Sequence, residues 1–275
     1  MTLVVSDISR HGIIMVGDSA VTRGTSVTAN AYKVQYAKAA NISFALWGNA
    51  CVDHRRIDYW LADFIRDHVK AGDSVENAGQ KLVSSLNAIL GKSGRQWKDL
   101  VRGIHIGGYR GGLPVLFHAH CGHDNEPAHE LRLYRDYPDD QKWSEWHFRS
   151  QLNYGFIHLR NGYHPLFGPL FQQALGYAAQ LRAAYDIQLP HPSLEGRFEF
   201  YKLLVRFVAG TLIASKLHPG VNDKLSAIAF DEHGTVIDEQ LPIVPPASGG
   251  SNAFDEYFKE ANQGAEGGQS VILAQ

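Results

Sequence analysis

Short apolar runs alternate along this chain with longer stretches whose apolar residues recur at helical spacing. Residues 3–8 (LVVSDI) and 13–17 (IIMVG) are rich in β-branched residues, and a turn-forming tetrapeptide separates them. This pattern predicts a β-hairpin at the start of the chain. Two further strands are predicted at 33–38 and 42–47, and the second is expected to end at Gly48-Asn49.

The period of the apolar pattern changes after Val52, where it becomes helical. A second helix is predicted to follow the first, to be capped by Asp73 or Ser74 and to end at Gly91. The apolar positions of these two helices are Ile57, Leu61, Phe64, Ile65, Val69, Ala78, Leu82, Leu86 and Ile89.

The rest of the chain follows the same order of strands and then helices. Residues 101–122 predict two strands around a Gly-rich turn, and 123–155 form a polar stretch with no clear period. Helices are predicted at about 166–185 and 195–217, and the last strands at 225–231 and 235–242.

Two helix pairs in a strand-rich chain predict two packed sheets with a helical layer on each outer side. We expect one domain over residues 1–242, with an elaborated connection at about 123–160. Residues 243–275 are punctuated by Pro, Gly and Ser, which is typical of a C-terminal tail.

Composition narrows the classes of partner. The 26 Lys and Arg against 28 Asp and Glu give a net charge of -2, so nothing in the charge balance favours nucleic acid or an anionic membrane. No apolar run approaches the roughly 20 residues that span a bilayer, and no leader is recognisable. Cys51 and Cys121 are too few for a disulfide framework. We therefore expect a cytoplasmic protein without a cofactor.

Several polar residues near the N-terminus stand at suggestive spacings. Thr2 directly follows Met1, Gly17-Asp18-Ser19 closes the predicted hairpin, and Thr22 and Gly24 come next. Lys33-Val34 and Gly48 then bracket the following strands. Together these residues resemble the proteasome β-subunit branch of the N-terminal-nucleophile (Ntn) hydrolases. The resemblance covers residues 2–118 well and 165–240 more loosely, and it implies an α+β fold that is a four-layer αββα sandwich.

The chemistry explains why these residue types belong together. A threonine hydroxyl is a weak nucleophile until a base removes its proton, and a chain-terminal threonine carries a base in its own α-amino group. That amine titrates near pH 8, so part of it is neutral at physiological pH. The arrangement requires loss of Met1, which aminopeptidases generally remove ahead of small residues such as Thr2.

The resemblance also implies roles for individual side chains. Lys33 would lie beside the Thr2 hydroxyl and favour loss of its proton, and Asp18 would hold Lys33 charged and oriented. The backbone N–H of Gly48 would stabilise the oxyanion. Thr22 and Asn49 would line the groove for an extended peptide.

The sequence departs from the family pattern in its second half. A serine expected near Arg160-Asn161-Gly162 is absent, and a later Asp-x-x-Ser motif has two alternative placements. In one, His218 and Val221 replace the Asp and the Ser; in the other, Asp223 and Ser226 supply them after a loop deletion. We therefore keep His218, Asp223 and Ser226 as candidate partners of the terminal amine.

The resemblance predicts a threonine-type hydrolase that cleaves peptide bonds through an acyl-enzyme on Thr2. Its substrates would be peptides or unfolded proteins, and its relatives assemble into rings or comparable homo-oligomers; the sequence does not identify an unfoldase partner. One alternative is a catalytically silent proteasome-like scaffold subunit. Another is an amidohydrolase for small non-peptide amides on the same fold.

Two other patterns are better explained without ligands. His118 and His120 lie on one side of a predicted strand, near Cys121, His123, Asp124 and His129, but no metal-ligand spacing motif supports them. We expect a polar strand face there and no metal. The glycines of 107–112 lack the form of a phosphate loop and precede a strand, so a hairpin turn is predicted.

Overall fold

The computed structural model describes residues 3–23, 26–48, 51–52, 55–93, 103–120, 130–137, 156–162, 164–215 and 222–239. Residues 1–241 group into one compact unit. The predicted tail at 243–275 lies outside the described residues, so the division into domain and tail stays a prediction.

The described chain contains strands and four helices. The strands are β1 (Leu3–Ser9), β2 (Gly12–Asp18), β3 (Ala20–Arg23), β4 (Ser26–Asn30), β5 (Val34–Ala37), β6 (Ile42–Trp47), β7 (Cys51–Val52), β8 (Arg55–Arg56), β9 (Gly103–Arg110), β10 (Leu113–His120), β11 (Arg132–Tyr137), β12 (Phe156–Gly162), β13 (Leu225–Phe230) and β14 (Val236–Glu239). The helices are α1 (Ile57–His68), α2 (Val75–Ser93), α3 (His164–Tyr185) and α4 (Leu194–Ser215).

The first sheet is antiparallel, with strand order β12-β1-β2-β13-β14. The predicted N-terminal hairpin is confirmed: β1 pairs with β2 from Val4↔Gly17 to Ser9↔Gly12. On its other side β1 pairs with β12, which the sequence did not predict. The start of β1 therefore lies next to the end of β2, where Asp18 stands.

The second sheet is also antiparallel, with strand order β11-β10-β9-β6-β5. The predicted Gly-rich hairpin is confirmed, because β9 and β10 pair around Gly111-Gly112. Both glycines have positive φ values of 59° and 76°, a conformation that favours residues without a Cβ. Two small ladders, β3 with β4 and β7 with β8, complete the described strands.

The helices pack in pairs against separate sheets. Apolar residues of α1 and α2 share a core with the second sheet, and those of α3 and α4 share one with the first. Ser74 caps α2 as predicted, since its Oγ accepts a hydrogen bond from the Asn77 N–H at 3.1 Å. The predicted end at Gly91 is wrong, because α2 continues to Ser93. An interior glycine costs a helix only about 1 kcal/mol, which the packing of the apolar face can offset.

A third apolar cluster contains residues of both sheets. It consists of Val4, Ile8, Ile13, Met15, Ile228 and Phe230 from the first sheet and Val34, Ala45 and Leu116 from the second. The sheets approach closely at Gly107, where an added Cβ would lie 2.7 Å from Met15 Cε. The protein is therefore a mixed α/β structure with antiparallel sheets.

The stretch that the sequence left unassigned holds one of the missed strands. Within the predicted connection at 123–160, Arg132–Tyr137 forms β11 and pairs with β10 at the edge of the second sheet. In the described ranges, none of the helices combines the length and apolar character needed to cross a bilayer.

Candidate functional site

A buried ion pair joins two of the residues that the sequence singled out. Lys33 Nζ donates to both carboxylate oxygens of Asp18, each at 3.1 Å. The Asp18 side chain is fully buried, and that of Lys33 is 8% exposed. Burying two charges costs desolvation free energy, so such a pair is stable only when its geometry and hydrogen bonds offset that cost.

The position of Asp18 at the end of β2 places its carboxylate against the start of β1. The backbone N–H of Leu3 donates to Asp18 Oδ1 at 2.8 Å, and that of Ala20 donates to Oδ2 at 3.0 Å. With the two bonds from Lys33, the carboxylate accepts four hydrogen bonds, about its full capacity. Asp18 thus ties the ammonium of Lys33 to the peptide bond that precedes Leu3.

Burial sets the electrostatics of this pair. Desolvation lowers the pKa of Lys33, while the charge of Asp18 and the hydrogen bonds to it act in the opposite direction. A lysine in this setting gives up its proton more readily than a solvated one.

Gly48 lies at the same end of the second sheet as Lys33. The Leu46 N–H donates to the Lys33 carbonyl at 2.7 Å, and β6 ends one residue later at Trp47. Gly48 follows with a φ of 108°, in the region that favours glycine, and it is exposed. The structure therefore brings Gly48 near Lys33 and leaves it accessible.

Other predicted site residues are described only in part. The backbone of Thr22 lies in β3 and pairs with Val27 of β4, beside a register shift between Val21 and Thr22. Thr2, Asn49 and His218 lie outside the described residues. Their predicted roles stay predictions.

The two residues of the shifted Asp-x-x-Ser placement have different surroundings. Ser226 lies on β13, where its Oγ accepts from the Val34 N–H and donates to the Val34 carbonyl, both at 3.0 Å. It is thus fully buried next to the residue that follows Lys33. Asp223 is exposed at the entrance to β13. The structure brings Ser226, but not Asp223, to the strand that follows Lys33.

A polar network beside Asp18 was missed by the sequence reasoning. Ser19 Oγ bonds to Asn30 Oδ1 and Asn222 Oδ1, each at 3.1 Å, and Asn222 Nδ2 donates to Asn30 Oδ1 at 2.7 Å. The Ser19 N–H also donates to the Lys224 carbonyl at 2.9 Å. Ser19 belongs to the motif already noted, but nothing in the sequence connects it with Asn222.

The histidines of β10 are engaged with aromatic side chains. His118 and His120 lie on one side of the strand as predicted, with ring centroids 4.5 Å apart. Trp47 Nε1 donates to His118 Nε2 at 3.0 Å, and His120 stacks on Tyr134. Within the part of the chain that the structure describes, no group of three or more metal-ligand side chains comes together.

A groove of about 390 Å³ opens at the opposite end of the first sheet. It lies among the hairpin turns, and its lining includes Arg10, His11, Tyr109 and Asp231. Because β1 runs from Leu3 to Ser9, this groove is separated from Asp18 by the length of the strand, about 20 Å. It is not part of the Asp18–Lys33 site.

The fold can be compared with solved structures. A structure of an Anbu (Gly-1) mutant from Hyphomicrobium sp. strain MC1 is similar to this chain, with a TM-score of 0.55. The alignment covers 99% of this chain and 100% of that chain, at 12% sequence identity. The chain shares the proteasome-like fold of that protein.

Other comparisons add little. A second structure of Anbu from the same strain aligns over 98% of this chain and 100% of that chain with a TM-score of 0.47 and 10% identity, too low to support any argument. No family model matches the sequence, and no curated protein matches it. At 12% identity the similarity shows the fold alone.

Proposed function

We propose that this protein is an N-terminal-nucleophile hydrolase of the proteasome-like type, and that it cleaves amide bonds through an acyl-enzyme on Thr2. The observation that carries the proposal is the bonding of Asp18. Its carboxylate holds the ammonium of Lys33 at 3.1 Å and the backbone N–H of Leu3 at 2.8 Å. Leu3 is covalently bonded to Thr2, so a buried cation is tied to the chain one residue from the proposed nucleophile.

The reaction begins with cleavage of the Met1–Thr2 bond, which gives Thr2 a free α-amine. That amine takes the proton of Thr2 Oγ as the oxygen bonds to the substrate carbonyl carbon. Collapse of the intermediate breaks the C–N bond, and the proton passes to the leaving amine. Water then hydrolyses the ester, which restores the hydroxyl.

The remaining residues have supporting roles in this proposal. The charge of Lys33 favours loss of the Thr2 hydroxyl proton and lowers the proton affinity of the amine. The N–H of Gly48 stabilises the oxyanion, a position at which one donor typically contributes about 3 kcal/mol. Thr22 and Asn49 line the groove, and the backbone of Thr22 in β3 pairs edge-on with an extended peptide substrate.

We also propose the larger arrangement that the proteasome-like fold implies. The layers are stacked αββα, which is supported by the two helix–sheet cores and the apolar cluster shared by both sheets. The chain forms a cytoplasmic homo-oligomer that encloses its sites, and it acts on peptides or unfolded proteins.

Replacement of Thr2 tests the proposal. Thr2→Ala removes the nucleophilic oxygen, so we expect kcat for a panel of peptide amides to fall about 10⁴-fold or more. We also expect the variant to lose covalent labelling by a peptide epoxyketone. The matched variant Thr2→Ser keeps both hydroxyl and amine, and it should retain labelling and measurable turnover.

Hydrolysis that survives in Thr2→Ala would contradict the proposal. So would active protein whose intact mass shows Met1 still attached, because the amine would then be acylated.

A non-catalytic scaffold is a second candidate function. It is favoured by the surroundings of the late motif: Asp223 is exposed, and the Ser226 hydroxyl is bonded to the main chain of Val34. A scaffold predicts no labelling of Thr2 in correctly processed protein that still assembles. Mass spectrometry of labelled and unlabelled protein separates the two functions.

A further inference from the structure

Lys33 lies in a segment without regular secondary structure. Residues 31–33 connect β4 to β5, so their backbone groups must find partners outside a helix or a sheet ladder. The Lys33 N–H donates to the Ala31 carbonyl at 3.1 Å, and the Lys33 carbonyl accepts from Leu46 at 2.7 Å. The conformation of this segment therefore depends on contacts made by other elements.

One of those contacts comes from Asp58 at the start of α1. Its side chain is only 2% exposed. Asp58 Oδ2 accepts the Tyr32 N–H at 3.0 Å, directly before Lys33, and Oδ1 accepts from Arg56 Nε at 3.0 Å. Arg56 Nη2 also bonds to Oδ2, so the guanidinium holds the carboxylate through two nitrogens.

Two neighbouring side chains extend this contact along the segment. Arg56 Nη2 donates to the Asn30 carbonyl at 2.7 Å. Gln35 Nε2 donates to the backbone carbonyl of Asp58 at 2.6 Å and to that of Tyr32 at 3.2 Å. Hydrogen bonds to the start of α1 thus hold the chain on both sides of Lys33, while Asp18 binds the Lys33 ammonium.

We propose that Asp58 is a positioning residue for Lys33, which fixes the segment before β5 so that the ammonium lies correctly in the Asp18 site. The catalytic consequence rests on the function proposed above, whereas the structural consequence does not. Asp58 acts through the Tyr32 N–H and Arg56, and it does not touch the proposed substrate.

Charge provides a second link between the two residues. Burial lowers the pKa of Lys33, and the carboxylates of Asp18 and Asp58 both raise it against that effect. Among the described residues, the charged and titratable groups that interact with Asp58 include Arg56, Lys33 and the phenol of Tyr32, and Tyr59 lies against Arg56. Loss of the Asp58 charge should therefore lower the pKa of Lys33 further.

The test compares Asp58→Asn with Asp63→Asn in the full chain. Asp63 lies on the same helix and takes part in exposed ion pairs with Arg55 and Arg66, so its replacement controls for loss of one carboxylate from α1. The first readout is the NMR titration of the Lys33 side chain in lysine-labelled protein, with Lys33→Arg used for assignment. The second is kcat and KM over pH with a peptide amide.

We expect the Lys33 resonance to move and its pKa to fall in Asp58→Asn and to stay unchanged in Asp63→Asn. In active protein, kcat should fall about tenfold with little change in KM, because Lys33 would be misplaced relative to the reacting atoms. A Lys33 resonance and titration identical in wild type, Asp58→Asn and Asp63→Asn overturns the proposal.

The NMR readout decides the matter even if the wild-type chain proves inactive, which would overturn the proposed function alone. If Asp58→Asn fails to fold, Arg56→Gln takes its place, because it removes the guanidinium that orients the Asp58 carboxylate and the bond from that guanidinium to the Asn30 carbonyl. An unshifted Lys33 resonance in folded Arg56→Gln then overturns the proposal.

Discussion

At the scale of single residues, Asp18 is the residue that holds the candidate site together. Its buried carboxylate accepts bonds from Lys33, Leu3 and Ala20, so its removal affects the ammonium and both neighbouring chain segments. When one partner of a buried pair is removed, the other charge stays in a low-dielectric environment without compensation. Asp18 is therefore a stability determinant as well as a candidate catalytic group.

We expect Asp18→Asn to lower the free energy of unfolding by about 3–5 kcal/mol near neutral pH. Exposed Asp67 provides the matched control, and Asp67→Asn should leave the free energy of unfolding nearly unchanged. Urea denaturation of the three proteins measures both values.

The stability of Asp18→Asn should also depend on pH. In Asp18→Asn the folded-state pKa of Lys33 lies further below its unfolded value of about 10.5, so the unfolded state binds more protons. The stability of the variant should therefore rise with pH through that window. Equal stabilities of Asp18→Asn and Asp67→Asn would show that the pair is not buried as described.

The residues of the candidate site were predictable only where they lie close in sequence. Asp18 ends β2, Lys33 directly precedes β5 and Gly48 directly follows β6, so the three residues fall within about 30 positions and their spacing carries the family resemblance that singled them out. Asn222 joins Ser19 across 203 residues, and no local signal encodes that contact. Asp58 was also missed, because a carboxylate early in a helix is typical of ordinary helix capping.

At the scale of elements, α4 is fixed to the first sheet by a buried polar cluster. Asp7 of β1 accepts from Arg197 Nη2 at 2.9 and 2.8 Å and from the Tyr201 hydroxyl at 2.7 Å. The Asp7 side chain is fully buried and that of Arg197 is 8% exposed. These hydrogen bonds fix the position of α4 along β1, which apolar packing alone specifies less strictly.

Tyr201→Phe removes one hydrogen bond to this carboxylate and keeps the ring. We expect the free energy of unfolding to fall by about 1.5–3 kcal/mol, the usual range for a bond to a charged group. Tyr177→Phe on α3, where the side chain is 66% exposed, should have little effect. Thermal and urea denaturation measure both changes, and equal stabilities of the two variants would show that the Tyr201–Asp7 hydrogen bond does not contribute to stability.

The elements themselves were predicted where their apolar pattern is strong. The N-terminal and Gly-rich hairpins were located from apolar runs around turn residues, and the four described helices from helical periodicity. Strand β11 (RLYRDY) was missed because it is rich in charge and forms an edge of its sheet. Such a strand is specified by pairing with β10, which its own composition does not reveal.

At the scale of the whole molecule, the two sheets are joined by polar contacts as well as by the shared apolar cluster. His105 of β9 is fully buried and bonds across to the first sheet through both ring nitrogens. Asn161 Oδ1 can only accept, so Nε2 carries the proton, and Nδ1 accepts from Ser6 Oγ at 2.8 Å. The neutral ring is therefore the form that bridges the sheets.

This bridge predicts a dependence of stability on acid. Burial lowers the pKa of His105 from 6.5 to about 4, so between these values the unfolded state binds the proton that the folded state excludes. Its contribution is complete above pH 6.5, falls as the pH drops towards 4, and amounts to about 3 kcal/mol. Denaturant titrations over this range measure it.

The control for this prediction is a solvated histidine. His233 is 79% exposed, so His233→Gln should keep the acid dependence of the wild type, whereas His105→Gln should lose that part of the slope. The same slope in both variants would contradict the buried neutral bridge.

The mixed α/β class was predictable from the order of strands and helices, and the similarity to Anbu supports a proteasome-like fold. The proposed chemistry depends on whether Thr2 lies beside the Asp18–Lys33 pair, which the fold alone does not decide. Asp18 and Lys33 are already paired in the structure, and what they act upon is proposed to be Thr2.

The most direct measurement is therefore mass spectrometry of the N-terminal peptide after reaction with a peptide epoxyketone. This reagent requires a hydroxyl and an amine on one residue to form its ring adduct. We predict a mature chain that begins at Thr2 and carries the adduct there, with the adduct reduced at least about tenfold in Lys33→Met. An active protein that keeps Met1, or that carries the adduct on another residue, would contradict the proposed mechanism.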